Sequence, residues 1–322
     1  MTTPAPWKRL LVYVDDPQQE TALLQQAAHL AKQWQAELHL LMVIDQRELH
    51  HLARASELEP EQVEQRARQH LQTVLQPLLQ SMDYPAEFSL RCGRPFLEIL
   101  RYVDQHQIDL VFKATSQHHR WQRGLLCSLD QHLLRKCPAA VWLHPLTANT
   151  DRHNIVASVD LADADAAENE LLDQLNQRVL DAAACLALTW SLPLHLTHAW
   201  DAPAADVIRY WVDDPKADDH AANYAHSCEA SAQQGLRELS QALEQEHPAL
   251  DCHQVLRRGD ARQVIAEQAQ MLSPRVLVMG TVGRSHLAGL LIGNTAEDVL
   301  NQVNCAVLAL KPSDFQCPIA LD

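Results

Sequence analysis

The segment ELHLLMVID at residues 37–45 recurs later in the chain as PLHLTHAWD at residues 193–201. Both segments carry the triplet Leu-His-Leu near their start and end on an aspartate. A short and nearly continuous apolar run is typical of a strand that is buried on both faces of a sheet. The recurrence of such a strand indicates that the chain contains a repeated unit.

The segments on either side of this strand also repeat, and in the same order. A first strand and a helix with apolar residues every three or four positions precede it, and a glycine-terminated strand and two further strands follow it. The matching segments are 9–16 with 154–160, 20–35 with 170–188, 87–95 with 253–261, 109–113 with 276–280, and 139–143 with 306–310.

Alternation of strands and helices in this order predicts an α/β fold with a parallel sheet and right-handed crossovers. A chain of 322 residues is long enough for two domains of about 150 residues each. We therefore predict two tandem doubly wound domains, residues 1–149 and 150–322. Each is expected to have a five-stranded parallel sheet with helices on both faces. The polar segment HPLTANTD at 144–151 is the expected link.

Composition and charge exclude several classes of protein. The 26 Lys and Arg residues against 41 Asp and Glu residues give a net charge of -15, which disfavours nucleic acid as a partner. The N-terminus does not resemble a secretory signal, and no apolar stretch is long enough to span a membrane. The eight cysteines form no Cys-x-x-Cys pair. These features predict a reduced, cytoplasmic protein with no membrane partner.

The most specific chemical signal is a glycine-containing loop, GTVGRSHLAGLLIGNTAE at residues 280–297. Gly280 and Gly283 follow the fourth strand of the second half, and Gly293 precedes the last helix. Such a loop lets backbone N–H groups approach a phosphate, and the following helix N-terminus favours an anion. A plain turn with Asn294 or Thr295 as helix cap has the same residues. The spacing alone does not separate these two interpretations.

The pattern Gly-x2-Gly-x9-Gly after a fourth strand resembles the nucleotide loop of the universal stress protein family, and the resemblance spans both halves. A finer similarity to the tandem E-type members rests on HLLRKCP at 132–138 and on residues 280–284 and 293–297. The resemblance implies the strand order 3-2-1-4-5 and a ligand cleft at the carboxyl ends of strands one and four. It also implies ATP or AMP as the ligand, as in some members.

Carried over to this chain, the resemblance places Asp160 and Ala199 beside the adenosine. It places Gly280, Gly283, Gly293 and Asn294 along the phosphates. Many ATP-binding members have a Ser or Thr where this chain has Asn294, and an amide is a poorer magnesium ligand than a hydroxyl. Thr295 is the residue that could compensate, and the presence of Mg²⁺ stays open.

The first half departs from the glycine pattern. It has KATS at 113–116 where the second half has GTVG at 280–283. We therefore expect a nucleotide site in the second half only. The fifth strands of the two halves are expected to pair as an internal pseudo-dimer, and homodimerisation beyond that pair is left open.

These observations favour a non-catalytic stress-response protein that binds a small-molecule ligand. Neither catalytic residues nor metal ligands are predicted, because the adjacent pairs His50-His51 and His118-His119 point apart and no hydrolase or metalloprotease motif occurs. Two alternatives remain. One is a slow ATP hydrolase or nucleotide transferase that uses the same loop, and the other is a carrier of an apolar ligand in the first-half cleft.

Overall fold

The computed structural model describes residues 6–115, 128–146, 152–161, 166–211, 215–281 and 293–320. The chain forms two compact units. Within the described residues, the first unit contains 6–115, 128–146 and 306–320, and the second contains 152–161, 166–211, 215–281 and 293–305. The last strand of the second half therefore belongs to the first unit. In this respect the two units differ from the predicted domains 1–149 and 150–322.

The first unit is an α/β structure whose parallel strands follow the order β3-β2-β1-β4-β5. This is the order 3-2-1-4-5 that the family resemblance implies. Its strands are β1 (Arg9–Tyr13), β2 (Glu37–Asp45), β3 (Glu87–Gly93), β4 (Leu110–Thr115) and β5 (Ala140–Pro145). Its helices are α1 (Thr21–Trp34), α2 (Gln46–Ser56), α3 (Pro60–Ser81), α4 (Pro95–His106) and α5 (Ser128–Lys136).

The first unit also contains β10 (Ala306–Leu310), which pairs antiparallel with β5. Val307 lies opposite Leu143, and Ala309 lies opposite Val141. Without this partner β5 would be an edge strand with unpaired N–H and C=O groups. Antiparallel pairing satisfies these groups, and it is the contact between fifth strands that the sequence analysis expects.

The second unit repeats the pattern in the parallel order β8-β7-β6-β9. Its strands are β6 (Ile155–Ser158), β7 (Leu194–Trp200), β8 (Cys252–Arg258) and β9 (Val276–Gly280). Its helices are α6 (Ala166–Trp190), α7 (Ala204–Trp211), α8 (Ala217–Glu246), α9 (Ala261–Leu272) and α10 (Asn294–Gln302). The predicted fold class, two tandem doubly wound α/β repeats, is confirmed.

Three neighbouring strands of the first unit, β4, β5 and β10, are buried on both faces. Every residue of β4, β5 and β10 is buried. Successive side chains of a strand point to opposite faces of the sheet, so complete burial requires that both faces are covered. This explains why these segments are mostly apolar in the sequence.

The predicted strand-to-helix turns are found at Gly93 and Gly259. Gly259 has φ +142°, a conformation that residues with a side chain rarely adopt. A Cβ at Gly93 would lie 2.9 Å from Oε1 of Glu98, so a side chain at this turn would require the Glu98 side chain to move. These two glycines fix the point at which β3 and β8 give way to α4 and α9.

The seven cysteines within the described ranges are all free thiols. Cys137, Cys185 and Cys305 are buried, and burial raises the pKa of the Cys137 and Cys185 thiols to about 11. These two thiols are therefore protonated at neutral pH and act as small apolar side chains. In the described part of the chain, every helix is too short or too polar to cross a membrane.

Ionisable side chains are buried near the carboxyl ends of β1 and β4. The Nζ atom of Lys113 lies 2.8 Å from Oδ1 of Asp130, and both side chains are buried. The carboxylate of Glu20 accepts a hydrogen bond from the backbone N–H of Asp15. Burial raises the pKa of Glu20 to about 7, although hydrogen bonds from Asp15 and Asp16 oppose the shift.

We expect Glu20→Gln to make the protein more stable at high pH. The pKa of Glu20 is about 7 in the fold against an ordinary value of 4.5, so the carboxyl favours folding below pH 4.5 and loses this contribution as the pH rises towards 7. The variant should raise the free energy of unfolding by about 1–3 kcal/mol at pH 8 and by much less at pH 5. Urea denaturation at both pH values measures the difference.

The exposed carboxylate Glu59 offers a matched control, because Glu59→Gln should change stability equally at both pH values. An effect of Glu20→Gln that is the same at pH 5 and pH 8 would contradict the raised pKa of Glu20.

Candidate functional site

A cavity of about 120 Å³ lies in the second unit, at the carboxyl ends of β6, β7 and β9. The order β8-β7-β6-β9 places β6 between β7 and β9, where the chain connections run in opposite directions. Ligands of open α/β sheets bind at such a point, beyond the carboxyl ends of the strands. The cavity therefore lies where the fold predicts a ligand site.

Five of the seven predicted site residues line this cavity: Asp160, Ala199, Gly280, Gly293 and Thr295. They come from the ends of three strands and from the start of α10, so the parallel sheet and α10 bring them together. Gly283 lies outside the described residues. Asn294 begins α10, but its side chain is also outside the described part of the structure.

The two ends of the glycine loop are joined by a backbone hydrogen bond. The N–H of Gly293 donates to the carbonyl oxygen of Thr281 at 2.8 Å, and Thr281 is buried. This contact places the start of α10 directly beside the end of β9. Thr281, which the site prediction did not include, also lines the cavity.

The N-cap of α10 differs from the one expected if the glycine loop were a plain turn. The N-cap residue of α10 is Gly293, not Asn294 or Thr295. Glycine has no side chain that could accept hydrogen bonds from the first N–H groups of the helix. Thr295 and Ala296 border the cavity, so the positive end of the α10 dipole lies at its wall.

A buried asparagine that the sequence analysis missed holds Asp160 in place. The side-chain oxygen of Asn176 accepts from the N–H of Asp160 at 3.0 Å, and its Nδ2 donates to the Asp160 carbonyl at 2.7 Å. Asn176 lies on α6 among Leu172, Leu175 and Val179, which also line the cavity. A polar residue within an apolar helix stripe was the signal that could have revealed it.

His198 is a second lining residue that the sequence analysis did not select. It is buried on β7, and its Nδ1 lies 3.1 Å from the carbonyl oxygen of Val159. A carbonyl oxygen can only accept, so Nδ1 carries the proton that is donated in this bond. The bond ties the ends of β6 and β7 together beside Asp160.

Gly280 has a packing role in addition to the one predicted for it. A Cβ atom at this position would lie 2.6 Å from Cδ2 of Leu175. Leu175 is buried and lines the cavity. The absence of a side chain at Gly280 therefore lets α6 pack closely against the end of β9.

The strand registers shift the sequence match of KATS with GTVG by one residue. Leu10 pairs with Leu110 and the matching Ile155 pairs with Val276, so Ala114 lies at the position of Gly280. Lys113 matches Met279, and its buried side chain forms the ion pair with Asp130. An apolar side chain of one repeat is thus replaced by a buried charged side chain in the other.

We expect the packing of Gly280 against Leu175 to appear as an energetic coupling. Gly280→Ala should lower the free energy of unfolding by about 1–3 kcal/mol, because the new methyl group overlaps Leu175. In the double variant with Leu175→Ala the overlap disappears, so the combined loss should be smaller than the sum by about 1 kcal/mol or more. Urea denaturation of the four proteins measures the coupling, and additive losses would contradict it.

Comparison with known proteins gives concordant results for the whole chain. Residues 6–145 and 172–311 each match the model of the universal stress protein family. Universal stress protein E of Salmonella typhi is 30% identical over 230 residues, which cover 71% of this chain and 69% of the relative. The protein of the same name from Escherichia coli K12 is 29% identical over an equal span.

A solved structure shares the fold over nearly the full length. The crystal structure of a putative universal stress protein from Pseudomonas aeruginosa UCBPP-PA14 covers 96% of this chain and 95% of its own. The TM-score is 0.67 at 24% sequence identity. The two family matches, one in each half, confirm the resemblance seen in the sequence. The chain belongs to the universal stress protein family and carries two copies of the family's domain in tandem.

Proposed function

We propose that the second unit binds an adenine nucleotide, ATP or AMP, in the cavity at the carboxyl ends of β6, β7 and β9. The observation that carries this proposal is the convergence of Asp160, Ala199, Gly280, Gly293 and Thr295 on one cavity. The family resemblance seen in the sequence indicates the same residues for nucleotide binding. Their convergence supports a common role.

The charges around the cavity define the orientation of the nucleotide. The carboxyl oxygens of an aspartate such as Asp160 accept hydrogen bonds and disfavour a neighbouring phosphate, so in this proposal the ribose hydroxyls lie at this residue. The start of α10 attracts negative charge, so the phosphates lie towards Gly293 and Thr295. Gly283 and Asn294 belong to the same phosphate region in this proposal.

Within the described lining there is no lysine or arginine. Phosphate attraction in that part of the site therefore rests on backbone N–H groups and the helix dipole. Leu172, Val179 and Ile265 supply apolar surface for the adenine and ribose. A mostly apolar lining with a few polar groups suits a binding site.

We further propose that the protein is a cytoplasmic, non-catalytic member of the stress response that acts by binding this ligand. The slow hydrolase or transferase remains the rival function, since it would use the same loop. The apolar-ligand carrier is a weaker rival, because the first unit places the charged pair Lys113–Asp130 at the end of β4. Homodimerisation is open in each case.

We expect Asp160→Asn to weaken nucleotide binding about tenfold or more, because the variant removes the carboxylate that accepts from the ribose. Asp15 is the matching residue of the first half, so Asp15→Asn should leave the affinity unchanged. Calorimetric titration of ATP and of AMP into the wild type and both variants measures this. Thermal unfolding confirms that each variant is folded.

Two outcomes would contradict the proposed site. One is the absence of heat of binding in the wild type at millimolar nucleotide, and the other is an equal loss of affinity in Asp15→Asn. Steady-state phosphate release decides between binding and hydrolysis. Release from ATP that disappears in Asp160→Asn together with binding would favour the slow hydrolase.

A further inference from the structure

A cluster of metal-ligand side chains lies in the first unit, at the amino ends of β2 and β3. His39 of β2 is paired in register with Glu87 of β3. His106 is the last residue of α4, and its ring centroid lies 5.3 Å from that of His39. One ligand atom from each of these three residues falls within 4.8 Å of the other two.

The spacing of these atoms is close to that of ligands on one ion. Nδ1 of His39 lies 3.6 Å from Oε2 of Glu87, and two neighbouring ligands of a tetrahedral zinc ion are roughly 3.4 Å apart. His39 is buried and therefore fixed, whereas Glu87 is exposed and His106 is half-buried. Small rotations of the two outer side chains would close the site.

The surroundings of His39 favour coordination through Nδ1. Its Nε2 is buried without a hydrogen-bond partner, and the nearest carboxylate oxygen, Oε2 of Glu37, lies 3.8 Å away. A histidine that binds a metal through one nitrogen commonly directs the other N–H at a carboxylate. Glu37 is placed for that role.

The hydroxyl group of Tyr102 contacts the Nδ1 atom of His39 that would bind the ion, but it also has a second hydrogen-bond partner. The hydroxyl lies 3.1 Å from Nδ1 of His39 and 3.4 Å from Oγ of Ser89. The phenol can keep the Ser89 contact when an ion takes the Nδ1 lone pair.

The second half has the same geometry without the third ligand. His195 and His253 occupy the places of His39 and Glu87, and they are paired in register. The last residue of α9, which matches His106, is Leu272. In addition, Nε2 of His195 lies 3.1 Å from Oδ1 of Asn154 and is already satisfied.

We propose that His39, Glu87 and His106 form a Zn²⁺ site, with water in the fourth position. Two imidazoles and one carboxylate are a ligand set that Zn²⁺ accepts readily. A bound ion would link β2, β3 and the end of α4. The site lies at the amino ends of the strands, so it is separate from a ligand cleft at their carboxyl ends.

The test uses the full-length protein without an affinity tag, stripped with a chelator and titrated with Zn²⁺ in a calorimeter. His106→Leu introduces the residue of the second half. We expect this variant to lose one equivalent of Zn²⁺ or to bind it about 100-fold more weakly. Glu87→Gln is an exposed second variant and should weaken the same equivalent at least tenfold.

The matched control is His253→Gln, which removes the counterpart of Glu87 in the second half and should leave the stoichiometry and affinity unchanged. Zn²⁺ should also raise the urea midpoint of the wild type but not of His106→Leu. Ions bound by other histidines persist in every variant, so the difference isolates this cluster. Equal binding by wild type, His106→Leu and Glu87→Gln would overturn the proposal, as would a wild type that binds no Zn²⁺.

Discussion

β6 pairs in parallel with β7 on one side and with β9 on the other. This pairing brings together the residues of the candidate site that lie at the strand ends. Ala157 lies in register with Leu196 of β7 and with Val278 of β9. Three strands that run in one direction and share this register end at the same edge. Asp160, Ala199 and Gly280 therefore meet, although they are far apart in the sequence.

The strand ends alone do not define the cavity, because α6 supplies the contacts that hold them. Asn176 binds both backbone groups of Asp160, and Leu175 packs where a side chain at Gly280 would lie. Asn176 holds the backbone of Asp160 by hydrogen bonds, whereas Leu175 fills the space beside Gly280. A change in the packing of α6 would therefore move two walls of the cavity together.

The two repeats show how one backbone supports different chemistry. The turn glycines Gly93 and Gly259 pack against Glu98 and Val264, which hold matching positions on α4 and α9. Near the end of the fourth strand, the first repeat has Lys113 where the second has Met279. At these matching positions the backbone keeps the same place in the fold, whereas the side chains differ in charge and volume. This is possible because strand pairing depends on backbone groups that all residues share.

The sequence by itself determined the repeat, the order of strands and helices, and the turns at Gly93 and Gly259, because apolar periodicity and glycine placement are local properties. The glycine motif indicated Gly280, Gly283 and Gly293, and the family resemblance added Asp160 and Ala199. The sequence could not reveal Asn176 or His198, whose roles depend on partners distant in the chain. Nor could it assign β10 to the first unit, because hydrogen bonding to β5 is decided only when the strands meet. His39, Glu87 and His106 likewise become a cluster only through strand register and the docking of α4, since side-chain chemistry at a site depends on distance in space rather than on spacing in sequence.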